Sequence, residues 1–179
     1  SRRRIRESLN IAEDAVVIGT AFRFGSEKRP YMWLDIADKV AAQRPDTAFI
    51  IVGDGPLLEE GQRRAAKLRH AKVHAVGRQM NIADWYNAMD VTLMTSSVEG
   101  LSNTVIESAY LGLPVVAYEV GGMAEAVIDG ETGLLLREKD VDGVVHALIK
   151  LIDEPEMRAR MGAAAHSFAS ANFQPERMC

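Results

Sequence analysis

The chain has 179 residues and a formal net charge of −4, with 47% hydrophobic and 26% charged residues, the profile of one soluble globular domain with a real core. The acidic balance gives no reason to expect nucleic acid as a partner, since phosphate-backbone binding needs a basic face, and no apolar run reaches the ~18 residues of a membrane-spanning helix. The one cysteine, Cys179, excludes an internal disulfide, and with no C-x-x-C pair a structural zinc site is not expected, which fits a reducing, cytoplasmic setting.

The opening SRRRIRESLNIAED has charges but no apolar stretch behind them, so it does not read as a signal peptide. It reads as a basic helix with Ile5 and Leu9 on one face. Its arginines form a solvated face, with contact to an anionic surface as the alternative.

Five short apolar runs follow at intervals: AVVIG (15–19), AFIIVG (48–53), KVHAVG (72–77), DVTLM (90–94) and PVVAY (114–118). They are β-branched and nearly continuous rather than alternating, as in strands buried on both faces of a parallel sheet. Helical stretches separate them. PYMWLDIADKVAAQRP has Met32, Ile36 and Val40 at helical spacing, PLLEEGQRRAAKLRH places Pro56 in a first turn, and NIADWYNAMD and NTVIESAYLG are shorter. After the fifth run, AVIDGETGLLLREKD reads as a turn-rich segment, and two helices, VDGVVHALIKLIDE and PEMRARMGAAAHSFASANF, close the chain. The alternation predicts an α/β fold, a doubly wound, Rossmann-like parallel sheet flanked by helices, with 1–179 as one domain and about 154–179 as its last helix and tail.

In such sheets ligands bind at the carboxyl ends of the strands. The loops there are GTAFRFGSEK, VGDGP, VGRQMN, MTSSVEGLSN and YEVGG. Arg23 and Lys28 are a fork of donors and a point charge that suit a diphosphate, or else two solvated cations. The glycines of VGDGP read as a tight turn shaping the cleft, since G-x-G without a third glycine is a weak fingerprint. Gly100 permits close backbone approach, and Leu101, Ser102, Asn103 and Thr104 open a helix whose free N–H groups face an anion. Glu99 and Glu107 are carboxylates of the kind that accept two hydrogen bonds from a vicinal diol. The alternative is capping: Ser96 to Glu99 and Thr104 to Glu107 both match a capping box, although both cannot cap across Gly100. The glycines of VGG let amides approach a ligand or simply make a turn. Of the four scattered histidines, His74 falls in a strand and reads as a core or packing residue, and no hydrolase triad or metal-ligand spacing appears.

FRFGSEK, VGDGP, EGLSNTVIESAYLGLPVVAYEVGG and DGETGLLL stand together in an order that resembles the C-terminal, donor-binding domain of retaining glycosyltransferases of the GT-B fold, in glycosyltransferase family 4. The resemblance runs from about residue 5 to residue 173, and its most specific part is the pair of glutamates followed by GLPVVA and GG. It implies that Arg23 and Lys28 bind the donor diphosphate and stabilise the departing nucleotide. It further implies that Glu107 holds the ribose and Glu99 contacts the donor sugar. Gly100 to Thr104 would meet sugar and phosphate through backbone amides, and Gly77 and Arg78 would lie against the base.

The resemblance also implies a UDP- or GDP-linked hexosyl donor, a saccharide or lipid-linked acceptor, and neither a cofactor nor a divalent metal. The acceptor-binding N-terminal domain is expected to be absent here, leaving an isolated domain that binds donor without completing transfer. The setting implied is bacterial surface polysaccharide or glycolipid synthesis, with the full enzyme cytoplasmic or peripheral at the inner face of the membrane. A non-catalytic nucleotide-binding module and a UDP-sugar epimerase of the same fold stand as alternatives.

Overall fold

In the computed structural model, which describes residues 1–173, six strands form one sheet in the order β3-β2-β1-β4-β5-β6, with every neighbouring pair parallel. The strands are β1 (Val17–Ala21), β2 (Ala48–Val52), β3 (Val73–Ala75), β4 (Val91–Met94), β5 (Val115–Tyr118) and β6 (Gly133–Leu136). The helices are α1 (Arg2–Ser8), α2 (Pro30–Gln43), α3 (Leu58–Ala65), α4 (Ile82–Ala88), α5 (Asn103–Tyr110), α6 (Met123–Ala126), α7 (Val141–Asp153) and α8 (Pro155–Asn172).

The near-continuous apolar runs are explained by helices on both faces. Ile18, Phe49, Ile51, Val91, Leu93, Val116 and Tyr118 meet Trp33, Ile36 and Val40 of α2 and Val144 and Leu148 of α7. The alternate residues Val17, Ile50 and Val52 meet Ile5 of α1 and Tyr86 of α4, while Met94, Val115 and Ala117 meet Val105 and Ile106 of α5 and Met123 of α6. Each strand residue is thus claimed by one layer or the other.

The chain runs outward from β1 to β3, then returns to β4 on the other side of β1 and runs outward again. The strand order therefore reverses between β1 and β4. That pair is registered only at Ile18↔Val91 and Gly19↔Thr92, against five positions for β1 and β2. Beyond Gly19 the two strands part, and a crevice opens at their carboxyl ends.

Four expectations are corrected. Residues 133–136 of the turn-rich segment form β6, because the edge of β5 offers a ladder that three leucines complete; pairing, not local propensity, makes the strand. Pro56 precedes the first turn of α3, since Leu57 N–H is spent on Phe24 O (3.0 Å) and the helix starts at Leu58. The arginines of α1 are not all solvated: Arg6 is 2% exposed and paired to Asp90 (2.7 Å). His74 lies on the edge strand β3 and is half-buried, lining a cleft of about 680 Å³ with Asp14, Asp46 and Lys72, so of the core and packing readings the core one fails. Burial and the Lys72 charge hold its pKa below the usual histidine value. The tail beyond Phe173, with Cys179, lies outside the described residues. Among the described residues no helix is long and apolar enough to cross a membrane.

Candidate functional site

The crevice between β1 and β4 is where loops converge. The loop after β1 runs from Phe22 through a 3-10 turn, Ser26–Lys28, into α2. It is joined on one side by VGDGP: Phe24 N–H donates to Asp54 O (2.8 Å), and Gly53 N–H donates in turn to Gly77 O (2.9 Å). Gly53 has φ +137°, and a Cβ there would sit 1.9 Å from Phe22 O, so these glycines let three loops lie backbone to backbone. The reading of VGDGP as a shaping turn agrees with this contact. Over these loops lies an open cleft of about 650 Å³, lined by Arg23, Gly53 to Pro56, Arg78, Gln79 and Ile82.

On the other side, the loop after β4 is stitched to the loop after β1. Ser97 N–H donates to Glu27 O (2.8 Å), and Thr95 Oγ1 donates to Lys28 O (2.7 Å). Lys28 Nζ pairs with the Glu99 carboxylate, which also accepts from Ser96 Oγ (2.6 Å). Glu99 O in turn accepts from Gly122 N–H (3.0 Å), which brings the loop after β5 against it. The glycines of VGG thus meet another loop's backbone.

Helix α5 enters the crevice. Thr104 Oγ1 donates to Ala21 O (2.5 Å), taking up a carbonyl that the short β1–β4 ladder leaves unpaired. Ser102 is the N-cap, its Oγ accepting from Val105 N–H (3.4 Å), and the first intrahelical bond is Ile106 N–H to Ser102 O (3.1 Å). Asn103 and Thr104 N–H therefore have no acceptor within the helix. Neither proposed capping box forms. Thr104 is inside the helix and bonded to β1, and Ser96 meets Glu99 by side chain with no helix between them.

Glu107 lies one turn into α5 and is half-buried. Its Oε2 accepts from the Tyr86 hydroxyl at 3.4 Å. Burial pushes the Glu107 pKa up, opposed by that hydrogen bond, and burial with the Glu107 charge pushes the Tyr86 phenol up as well.

The expected site residues therefore fall into two groups. Lys28, Glu99, Gly100, Leu101, Ser102, Asn103, Thr104 and Glu107 belong to the crevice and the start of α5. Arg23, Gly77 and Arg78 belong to the loops over β1, β2 and β3, with Arg23 and Arg78 in one cleft. Lys28 turns to Glu99, whereas Arg23 is exposed in the cleft. Leu101 is 48% exposed, and a Cβ on Gly100 would meet nothing within 4 Å. Among the described residues no group of three or more His, Cys, Asp or Glu could hold a metal ion.

Two residues escaped the sequence reading. Tyr86 sits in a helical apolar pattern that reads as core, and nothing local announces its hydroxyl's partner. Arg29, left-handed at φ 49°, caps α2 and pairs with Glu138, tying the loop after β1 to the loop after β6.

The family "Glycosyl transferases group 1" matches residues 1–168. The Vi polysaccharide biosynthesis protein VipC/TviE of Salmonella typhi is 33% identical over 165 residues, 90% of this chain and 28% of its own length. A GDP-mannose-dependent alpha-(1-6)-phosphatidylinositol monomannoside mannosyltransferase of Mycolicibacterium smegmatis is 34% identical over 184 residues, 97% of this chain and 48% of its own. This chain thus spans less than half the length of either of these two relatives. Among solved structures, Anabaena Alr3699/HepE in complex with UDP superposes with a TM-score of 0.84 at 23% identity, over 98% of this chain and 49% of that one. That likeness concerns the fold.

Proposed function

This chain belongs to the glycosyl transferases group 1 family, and from that premise we propose that it is the donor-binding half of a longer retaining hexosyltransferase of glycosyltransferase family 4. The observation that carries the reading is the β1–β4 crevice. There a lysine, two carboxylates and two helix N–H groups without an intrahelical acceptor gather at the point of strand reversal, and an exposed arginine stands in the cleft beside them.

The donor is a UDP- or GDP-linked hexose. Its diphosphate lies against Arg23, Lys28 and the N–H groups of Asn103 and Thr104. Its ribose diol lies on Glu107, its sugar near Glu99 and Gly100 to Ser102, and its base along Gly77 and Arg78. Both nucleotides are represented among similar proteins: one relative is GDP-mannose-dependent, and HepE was crystallised with UDP.

Breaking the sugar–phosphate bond leaves negative charge on the diphosphate. Fixed cations and helix N–H groups aimed there lower the barrier, each worth about 3 kcal/mol in the transition state. The ion pair with Glu99 holds Lys28 in place before donor arrives, so little reorganisation accompanies the reaction. The chemistry proposed calls for no metal and no cofactor. The relatives' greater length supports a separate acceptor-binding domain upstream, receiving a saccharide or lipid-linked acceptor in bacterial surface polysaccharide or glycolipid synthesis; this half alone binds donor without transferring it.

Titration calorimetry with UDP, GDP and their hexose derivatives tests the reading. One nucleotide is expected to bind, and Arg23→Ala and Lys28→Ala each to weaken it by about tenfold or more, the usual scale of a charged hydrogen bond. No heat with any of these ligands, from a folded sample, would overturn it.

A further inference from the structure

Tyr86 is a polar side chain that the fold buries completely. Its ring lies on α4 among Ile5, Val17, Ile50, Val52 and Leu113, with 0% exposure. A phenol so placed ordinarily finds a hydrogen-bond partner. Its partner here is Glu107 Oε2, at 3.4 Å, a long contact with room to shorten when a ligand settles. Glu107 is also anchored through its own helix, because Thr104, three residues earlier, is tied to Ala21 O at 2.5 Å. A carboxylate has about four acceptor sites. With one taken by a rigid donor from below, the rest keep a fixed direction.

We propose that Tyr86 is a positioning residue: its buried hydroxyl fixes the rotamer in which the Glu107 carboxylate accepts a vicinal diol of the donor's ribose. The inference rests on the proposed role of Glu107. It has a consequence that simple packing of the ring does not. The group facing the Glu107 carboxylate is the Tyr86 phenol from α4, and the Thr104 hydroxyl of α5 faces that phenol in turn. Burial raises the Glu107 pKa and the Tyr86 hydrogen bond lowers it. Diol hydroxyls donate to the ionised form and favour it, so ribonucleotide affinity rises with pH through the titration of Glu107 and then levels off. Removing the Tyr86 hydroxyl leaves the burial and takes away the opposing bond. The titration then moves to higher pH.

The experiment measures dissociation constants of UDP, GDP and their 2′-deoxy counterparts from pH 5 to 8 for the native chain, Tyr86→Phe and Glu107→Gln. The native chain is expected to prefer the ribonucleotide by about tenfold. Tyr86→Phe should cut that preference about threefold and shift the affinity midpoint upward in pH. Calorimetry of the native chain in buffers of different ionisation enthalpy should show proton release on binding near that midpoint, with no variant required. A Tyr86→Phe protein with unchanged preference and midpoint overturns the inference. So does a uniform loss for ribo and deoxy ligands at every pH, which marks a structural role, or an absence of proton release by the native chain. If Glu107→Gln loses the preference in those cases, the ribose reading stands without Tyr86. If the native chain shows no preference and Glu107→Gln binds equally well, the ribose reading itself fails.

Discussion

Gly100 and Gly121 belong to two loops that touch backbone to backbone, and they carry opposite constraints. Gly121 has φ +53°, and a Cβ there would stand 1.8 Å from Glu99 O, the carbonyl that accepts from Gly122 N–H. Gly121→Ala must push the Glu99 loop away or break that bond. The expected cost is about 1–3 kcal/mol in urea unfolding, as for an overpacked site. Gly100 has no positive φ, and a Cβ there meets nothing within 4 Å. Gly100→Ala should therefore leave stability within about 0.5 kcal/mol. It should still weaken nucleotide-sugar binding in calorimetry, since the space beside Gly100 belongs to the donor in the proposed reading. Unchanged donor affinity in Gly100→Ala would place the sugar elsewhere. The two glycines look alike in the sequence, and only the packing separates one that serves the fold from one that leaves room.

At the scale of elements, the N-terminal helix carries more than its sequence suggests. The Arg6 guanidinium donates to Ala88 O, Ala12 O, Glu13 O, Ala15 O and Asp90 Oδ2, at 2.7 to 3.3 Å. Asp90 also accepts from Arg2 and from Val17 N–H (2.8 Å). One side chain thus joins the last residue of α4 to the segments that lead into β1 and β4. Burial draws the Arg6 pKa down while the Asp90 charge holds it up. Arg6→Ala leaves these carbonyls and part of Asp90 without their donor, at a cost of about 3–5 kcal/mol in denaturant unfolding. Arg6→Lys should recover only part of that, because an ammonium cannot reproduce the fork. If Arg6→Ala lost less than about 1 kcal/mol, the ion pair would be incidental.

None of this was legible in SRRRIRES. An arginine in a polar helix reads as solvated, and its partner lies 84 positions away. What was legible followed local chemistry: five strands from β-branched runs, and the crevice loops from glycine and small polar clusters at strand ends. The sixth strand was hidden because leucines between turn residues have no strand preference of their own. The Tyr86–Glu107 contact was hidden because it joins two helices through a residue type that normally packs.

The molecule as a whole is a sheet whose least registered seam is also where the candidate site lies. Between β1 and β4 only two positions are registered, and the loops beyond them are held by side chains and loop backbone: Lys28 to Glu99, Thr95 to Lys28 O, Ser97 to Glu27 O and Thr104 to Ala21 O. The outer strands are weak in another way, since β3 is three half-buried residues and β6 has one buried residue of four. Central strands with long ladders should open only with global unfolding, and edge strands by local openings. Native-state hydrogen exchange should then find the slowest amides in β1, β2, β4 and β5, with β3 and β6 faster. A nucleotide that bridges the seam stabilises the folded state by RT ln(1 + [L]/Kd), so at a hundredfold excess over Kd the globally exchanging amides should slow by about a hundredfold. The same ligand should add protection at Asn103 and Thr104, whose N–H groups lack an acceptor in the helix, and at Gly77 and Arg78. It should leave the local openings of β6 as they were. If protection spread instead to β6 and left Asn103 and Thr104 unchanged, the nucleotide would be bound away from the seam, because a ligand can slow only the openings that break its own contacts.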